Sequence, residues 1–91
     1  MENENIFVFD NPDDVIYRYT VVKSNGDAFV TSASPFSYSS GLRGYFGNVL
    51  SDYKNLEDFL FNAKTDKRLY GKFVKSNDDL PDEVKRYIKT I

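Results

Sequence analysis

The sequence predicts an α+β domain, with a small antiparallel sheet of three to four strands packed on one face by two or three helices. Two observations support this class. Up to about residue 32, short runs rich in β-branched and aromatic residues are separated by turn residues, and after residue 41 the apolar spacing changes to three and four. Because 91 residues suffice for about one hydrophobic core, we expect residues 1–91 to form a single domain.

The first three strands follow from composition and alternation. Residues 5–9 form an apolar strand that ends at Asn11-Pro12, because proline has no backbone donor. Residues 15–23 form a second strand, with an aromatic face and an opposite face that carries polar side chains. The pair Asn25-Gly26 tolerates the positive φ angles of a type I′ turn, so we expect a two-residue turn leading into a third strand at residues 28–32.

The helices are predicted from the second half of the chain. A loop over residues 33–40 ends in a helix N-cap at Ser39 or Ser40. Apolar residues then recur with helical spacing over residues 42–63, which predicts an amphipathic helix with Phe46 and Phe59 in the core. Asn55 can divide this stretch and cap a second helix that runs through Lys64.

The C-terminal part completes the sheet and adds a last helix. Residues 68–75 alternate weakly and carry charges, which is typical of a strand at a sheet edge. An apolar stripe from Leu80 to Ile91 follows, with acidic residues in its first turn and basic residues later, as a helix dipole favours. An edge strand without a neighbour would also allow a symmetric homodimer.

Residues 17–50 carry several local signals in a fixed order. These are Tyr17-Arg18-Tyr19 on a strand, Asn25-Gly26 in a turn, Thr31-Ser32 closing the next strand, and Tyr38-Ser39-Ser40 before a helix with Phe46 and Val49 facing inward. In this the chain resembles the YegP-like family of small bacterial domains. The resemblance implies a β-β-β-α unit and, because the family has no assigned molecular function, it implies no activity.

Composition excludes much chemistry. The chain has no histidine, so the side chain best suited to proton transfer near neutral pH and to transition-metal binding is missing. It has no cysteine, which excludes disulfides and thiolate sites and is compatible with the cytoplasm. We therefore expect a non-enzymatic, cytoplasmic protein without metal or cofactor, and without a membrane-spanning segment. No sequence motif supports the remaining hypothesis, an enzyme that depends on carboxylates.

Acidic clusters near both ends suggest a surface for another protein. Asp13 and Asp14 follow the first strand, and Asp78 and Asp79 precede the last helix. Brought together, these carboxylates would form a negative patch. Tyr38, in the loop before the predicted helix over residues 42–63, could add an aromatic contact point with the nearby Arg43. The primary hypothesis is thus a small protein-binding module, such as an inhibitor or adaptor from a phage or mobile element.

The alternative hypothesis is a single-stranded nucleic-acid-binding protein. Residues 64–75 carry five cations and one anion, and their aromatic rings could stack on bases while the cations neutralise phosphates. The residues that would bind nucleic acid are Lys67, Arg68, Tyr70, Lys72 and Lys75. Arg43-Gly44-Tyr45-Phe46 would also suit a strand of an RNA recognition motif, but the helical spacing around it favours a helix there. The net charge of −2 disfavours nucleic acid.

Overall fold

A computed structural model describes residues 6–14, 17–32, 43–74 and 77–91 of the chain. Five strands form one antiparallel sheet in the order β4-β3-β2-β1-β5. The strands are β1 (Ile6–Asp10), β2 (Tyr19–Lys23), β3 (Asp27–Thr31), β4 (Arg43–Asn48) and β5 (Lys72–Val74). The helices are α1 (Leu56–Thr65), α2 (Lys67–Tyr70) and α3 (Asp82–Ile88). The predicted α+β class is confirmed, with one strand more than expected.

One side of the sheet is covered by α1 and α2. Phe9, Val22 and Ala28 from the sheet form a buried cluster with Phe59 and Ala63 of α1. Phe59 is therefore a core residue, as predicted. The predicted cap of α1 is also confirmed, because the side chain of Asn55 accepts a hydrogen bond of 2.8 Å from the backbone N–H three residues later.

The other side of the sheet is covered by α3. Val8 and Val21 form a second buried cluster with Leu80 and Val84. The predicted C-terminal stripe is thus confirmed, but α3 lies on the face opposite to α1, whereas we expected all helices on one face. The reason lies in β1, where neighbouring Val8 and Phe9 point to opposite faces and both are buried.

The predicted helix over residues 42–63 is wrong in its first half. Residues 43–48 form β4, a 3-10 turn follows at Val49–Ser51, and only α1 is helical. Gly44 and Gly47 are poor helix formers, and β4 pairs with β3 along its length, which no local apolar spacing reveals. Phe46, expected in the core, is 57% exposed.

Two smaller predictions also differ from the structure. The β2–β3 hairpin is confirmed, but the N–H of Gly26 donates to the carbonyl of Lys23 over 2.9 Å, so the central turn residues are Ser24 and Asn25. Gly26 follows them with φ 96°, which makes a three-residue loop. The predicted strand over residues 68–75 is limited to β5, because α2 occupies the residues before it.

The predicted loop over residues 33–40, with its N-cap at Ser39 or Ser40, lies outside the described residues. Among the residues that are described, no helix combines the length and the apolar character needed to cross a bilayer.

Candidate functional site

A groove of about 370 Å³ opens on the α1 side of the sheet beside Thr20 of β2 and Val30 of β3, and none of its described lining residues belongs to α1. We call it the aromatic groove. Its floor includes Thr20 and Val30, which are paired across β2 and β3. The described residues that line it are Asn11, Asp14, Tyr17, Thr20, Val30, Tyr45, Phe46, Leu69 and Tyr70. Its volume lies in the range of sites that bind small molecules or single side chains of a partner.

Three large apolar side chains are exposed together at this groove. Within the described residues, Tyr17, Phe46 and Leu69 line it and are 40%, 57% and 44% exposed. Tyr45 also borders it, but its ring packs against Phe29 on the face of the sheet that α3 covers. Exposed apolar side chains scattered singly over a surface are ordinary, whereas several that line one concave surface mark a place where a ligand or partner binds.

A β-bulge places Phe46 at the groove. Ala28 of β3 pairs with Gly47, but the next residue, Phe29, pairs with Tyr45, so Phe46 has no partner residue in β3. Gly47 has φ 140°, a conformation that glycine adopts without strain. The bulge turns the ring of Phe46 towards Tyr70, with the ring centroids 6.2 Å apart and the rings perpendicular.

The short helix α2 supplies Leu69 and Tyr70. Asp66 caps it, since its carboxylate accepts the backbone N–H of Arg68 at 3.1 Å and pairs with the guanidinium at 3.0 Å. Gly71 ends the helix with φ 87°, and a Cβ at this position would collide with the backbone carbonyl of Asp10. The ring of Tyr70 lies between Phe9 of the sheet and Phe59 of α1.

The connection between β1 and β2 supplies the polar rim. The carboxylate of Asp14 accepts the backbone N–H of Tyr17 at 2.9 Å, and the N–H of Asn11 donates to the carbonyl of Arg18 at 2.7 Å. Arg18 also forms a bidentate ion pair with Asp10, with distances of 2.7 and 3.1 Å. These bonds hold Asp14 and Tyr17 at the edge of the groove.

A second hollow of about 200 Å³ adjoins the groove. Phe46 and Tyr70 line both, so this pair of rings lies between the two concave surfaces. Ser51 and Asp52, at and just after the 3-10 turn, also line the hollow. The pKa of Tyr70 is raised, first by burial and then by the nearby Tyr53 and Asp52.

The structure does not gather the four predicted acidic residues on one surface. Asp13 is exposed in the turn after β1, and Asp14 lines the aromatic groove. Asp78 and Asp79 are exposed before α3, where they line two separate hollows that also contain lysines. The carboxylates are thus divided between the two sides of the sheet.

The described residues predicted to bind nucleic acid lie on α2 and on β5, which follows it directly. Arg68 is paired with Asp66, and this pairing raises the pKa of the guanidinium. The ring of Tyr70 packs against Phe9 and Phe59, with centroids 6.2 and 5.0 Å away, so much of it is used in the core. The exposed Lys67 lies in α2, and Lys72 is in β5 at the sheet edge.

Three predicted site residues lie at or outside the limits of the described segments. Arg43 is the first residue of β4, and Tyr38 and Lys75 lie outside the described residues. Two residues that line the aromatic groove were predicted site residues of other surfaces. Asp14 was assigned to the acidic protein-binding surface and Tyr70 to the nucleic-acid-binding stretch. The signal for the groove was Gly44-Tyr45-Phe46-Gly47, where two aromatic residues lie between glycines and therefore resist a helical interpretation.

This arrangement defines a small α+β domain with an aromatic groove beside a bulged edge strand. Neither the family models, nor the curated proteins, nor the solved structures compared with this chain match it. The resemblance of residues 17–50 to the YegP-like family therefore stays a prediction.

Proposed function

We propose that this protein is a non-enzymatic, cytoplasmic protein-binding module that holds an apolar side chain of its partner in the aromatic groove. The observation that carries the proposal is the concentration of exposed large apolar side chains at one concave surface, led by Phe46 and Leu69. Burial of such rings and branched chains at the centre of a contact supplies most of the free energy of many protein interfaces.

The way in which the groove is built supports the same function. Phe46 is exposed by a bulge, and Leu69 by a helix of one turn that is capped at both ends. Bulges that redirect a side chain are typical of functional surfaces. A groove of about 370 Å³ accommodates one large side chain with part of its backbone.

The charges at the groove favour a protein over a nucleic acid. Its described lining residues include the carboxylate of Asp14 and no lysine or arginine. A phosphate backbone would find no cation among these described lining residues, and binding to nucleic acid depends on cations that replace its counterions. Because α2 and β5 carry exposed lysines, the experiment also measures binding of single-stranded nucleic acid.

A displayed library of random linear peptides tests the proposal directly. The full chain is immobilised and used to select peptides, which are then measured against two variants. The groove variant is Phe46→Ser with Leu69→Ser, two positions that are already more than two-fifths exposed. The matched control is Phe61→Ser, which removes a ring that is 68% exposed on α1 and does not line the groove.

We expect selected peptides to bind the wild type and the control equally and the groove variant at least about tenfold more weakly. Circular dichroism of the three proteins establishes that each is folded. Equal binding to all three, or no enrichment of any peptide, overturns the proposal. Binding of a labelled oligothymidylate that weakens steeply with salt and is lost on replacement of Lys67 and Lys72 would instead assign the nucleic-acid function.

A further inference from the structure

We infer that the side chain bound in the aromatic groove is that of a tyrosine, and that its hydroxyl forms a hydrogen bond with Thr20 at the floor of the groove. This inference rests on the proposed function and names the chemistry of the bound residue. It comes from the burial of Thr20, from its place in the groove and from the lack of a partner for its hydroxyl among the described residues.

Thr20 lies at the base of the groove. It belongs to β2 and points to the same face of the sheet as Val22, which packs with Phe59 of α1. Thr20 is only 8% exposed, and it lines the groove together with Phe46 and Leu69, which are 57% and 44% exposed. The groove therefore has large apolar side chains near the solvent and a threonine side chain at its base.

The hydroxyl of Thr20 is available to a ligand. Two other threonines, Thr65 and Thr90, donate their hydroxyl hydrogens to backbone carbonyls at 2.8 and 2.7 Å. No such bond joins the hydroxyl of Thr20 to any residue in the described segments. A threonine hydroxyl can both donate and accept, and covering it without a partner costs binding free energy.

A tyrosine side chain matches this order of groups. Its ring can contact Phe46 and Leu69, and its hydroxyl lies at the far end of the ring, so the hydroxyl enters deepest and meets Thr20. Phenylalanine, leucine and methionine would cover the same hydroxyl without bonding to it. The N–H of tryptophan lies on the side of the indole and not at its far end. Tyrosine is therefore the side chain that satisfies both the walls and the floor.

The selected peptides and two variants of Thr20 test the inference. Peptides that bind the wild type and lose binding to the Phe46→Ser, Leu69→Ser variant are sequenced, and a binder is resynthesised with its tyrosine replaced by phenylalanine. Both peptides are measured against the wild type, Thr20→Val and Thr20→Ser. Valine keeps the branched shape of threonine without the hydroxyl, and serine, the matched control, keeps the hydroxyl. Circular dichroism establishes that each variant is folded.

We expect the phenylalanine peptide to bind the wild type about five- to tenfold more weakly than the tyrosine peptide. Thr20→Ser should keep this preference, whereas Thr20→Val should bind the two peptides about equally. A merely structural role of Thr20 would weaken both peptides alike and would leave the ratio of their affinities unchanged, so this ratio isolates the hydrogen bond.

The outcomes separate this inference from the proposed function. Groove-dependent peptides that share a tyrosine, with a preference over phenylalanine that is lost only in Thr20→Val, support the inference. Groove-dependent peptides without a tyrosine, or a preference that is absent in the wild type or persists in Thr20→Val, overturn it and leave the proposed function in place. The absence of any groove-dependent peptide overturns both.

Discussion

Three phenylalanines in three environments provide a direct test of the fold. Phe59 is fully buried, Phe46 is 57% exposed and Phe61 is 68% exposed. Replacing each by alanine removes the same atoms, so the change in the free energy of unfolding reports the surroundings of each ring. The sequence pattern placed Phe46 and Phe59 on one buried helical face, whereas the structure buries only Phe59.

The expected magnitudes follow from burial. The ring of Phe59 packs against Tyr70, Tyr53 and Phe9 with centroids 5.0, 5.5 and 5.8 Å away. Truncation of such a buried ring costs about 3–5 kcal/mol. Phe46 has lost less than half of its surface to the protein and contacts the ring of Tyr70, so its truncation should cost about 1 kcal/mol. For Phe61 we expect about 0.5 kcal/mol or less, because alanine also favours the helix.

Urea unfolding followed by circular dichroism measures the three differences. A domain of this size has a total stability of about 5–15 kcal/mol, so Phe59→Ala can leave little folded protein. Phe59→Leu removes fewer atoms and costs less than Phe59→Ala, so it retains a measurable transition; compared with Phe46→Leu and Phe61→Leu, it should show the same order of effects. If truncation of Phe46 lowers the free energy of unfolding as much as truncation of Phe59, the strand at residues 43–48 is refuted and the predicted helix with a buried Phe46 is favoured.

Three further predictions concern single contacts. Gly71→Ala should lower the free energy of unfolding by about 2 kcal/mol, measured with urea, because φ is 87° and the new Cβ collides with the carbonyl of Asp10. An unchanged free energy of unfolding would contradict the conformation in which Gly71 ends α2. Asn55→Ala should lower the free energy of unfolding by about 1 kcal/mol, because it removes the N-cap of α1, whereas Asn55→Asp should retain most of it. Equal losses in the two variants would argue against a capping role. Burial, followed by the nearby Tyr53 and Asp52, raises the pKa of Tyr70 above its ordinary value of 10.0, so the folded state keeps a proton that the unfolded state loses. The free energy of unfolding should therefore fall as the pH rises above about 10, and this fall should be smaller in Tyr70→Phe; identical pH profiles for the two proteins would show that Tyr70 does not contribute.

The sequence predicted the elements whose signals are local. Alternation and β-branched residues indicated β1 and β2, and Asn25-Gly26 indicated the hairpin between β2 and β3. Asn55 indicated the start of α1 because an N-cap needs only a side-chain oxygen near the next backbone N–H groups. These features depend on contacts between residues close in the chain, so their existence was predicted correctly, although the central residues of the hairpin turn are Ser24 and Asn25.

The candidate site was largely hidden from sequence reasoning. The apolar spacing over residues 42–63 suits a helix, so the exposed Phe46 was assigned to the core. Asp14 was grouped with distant carboxylates by charge alone, although the structure divides these residues between the two sides of the sheet. A groove is defined by residues far apart in the chain, and no local pattern encodes which of them come together.

Composition alone determined that this protein has neither imidazole nor thiol chemistry, and the local patterns determined an α+β domain with a central hairpin and a capped helix. Only the tertiary structure decided that β4 is a strand and that helices cover both sides of the sheet. Pairing of β4 with β3 satisfies backbone groups through partners distant in sequence, and this outweighs the weak helical preference of a glycine- and aromatic-rich segment. The bulge in that pairing exposes Phe46, and the aromatic groove exists as a consequence.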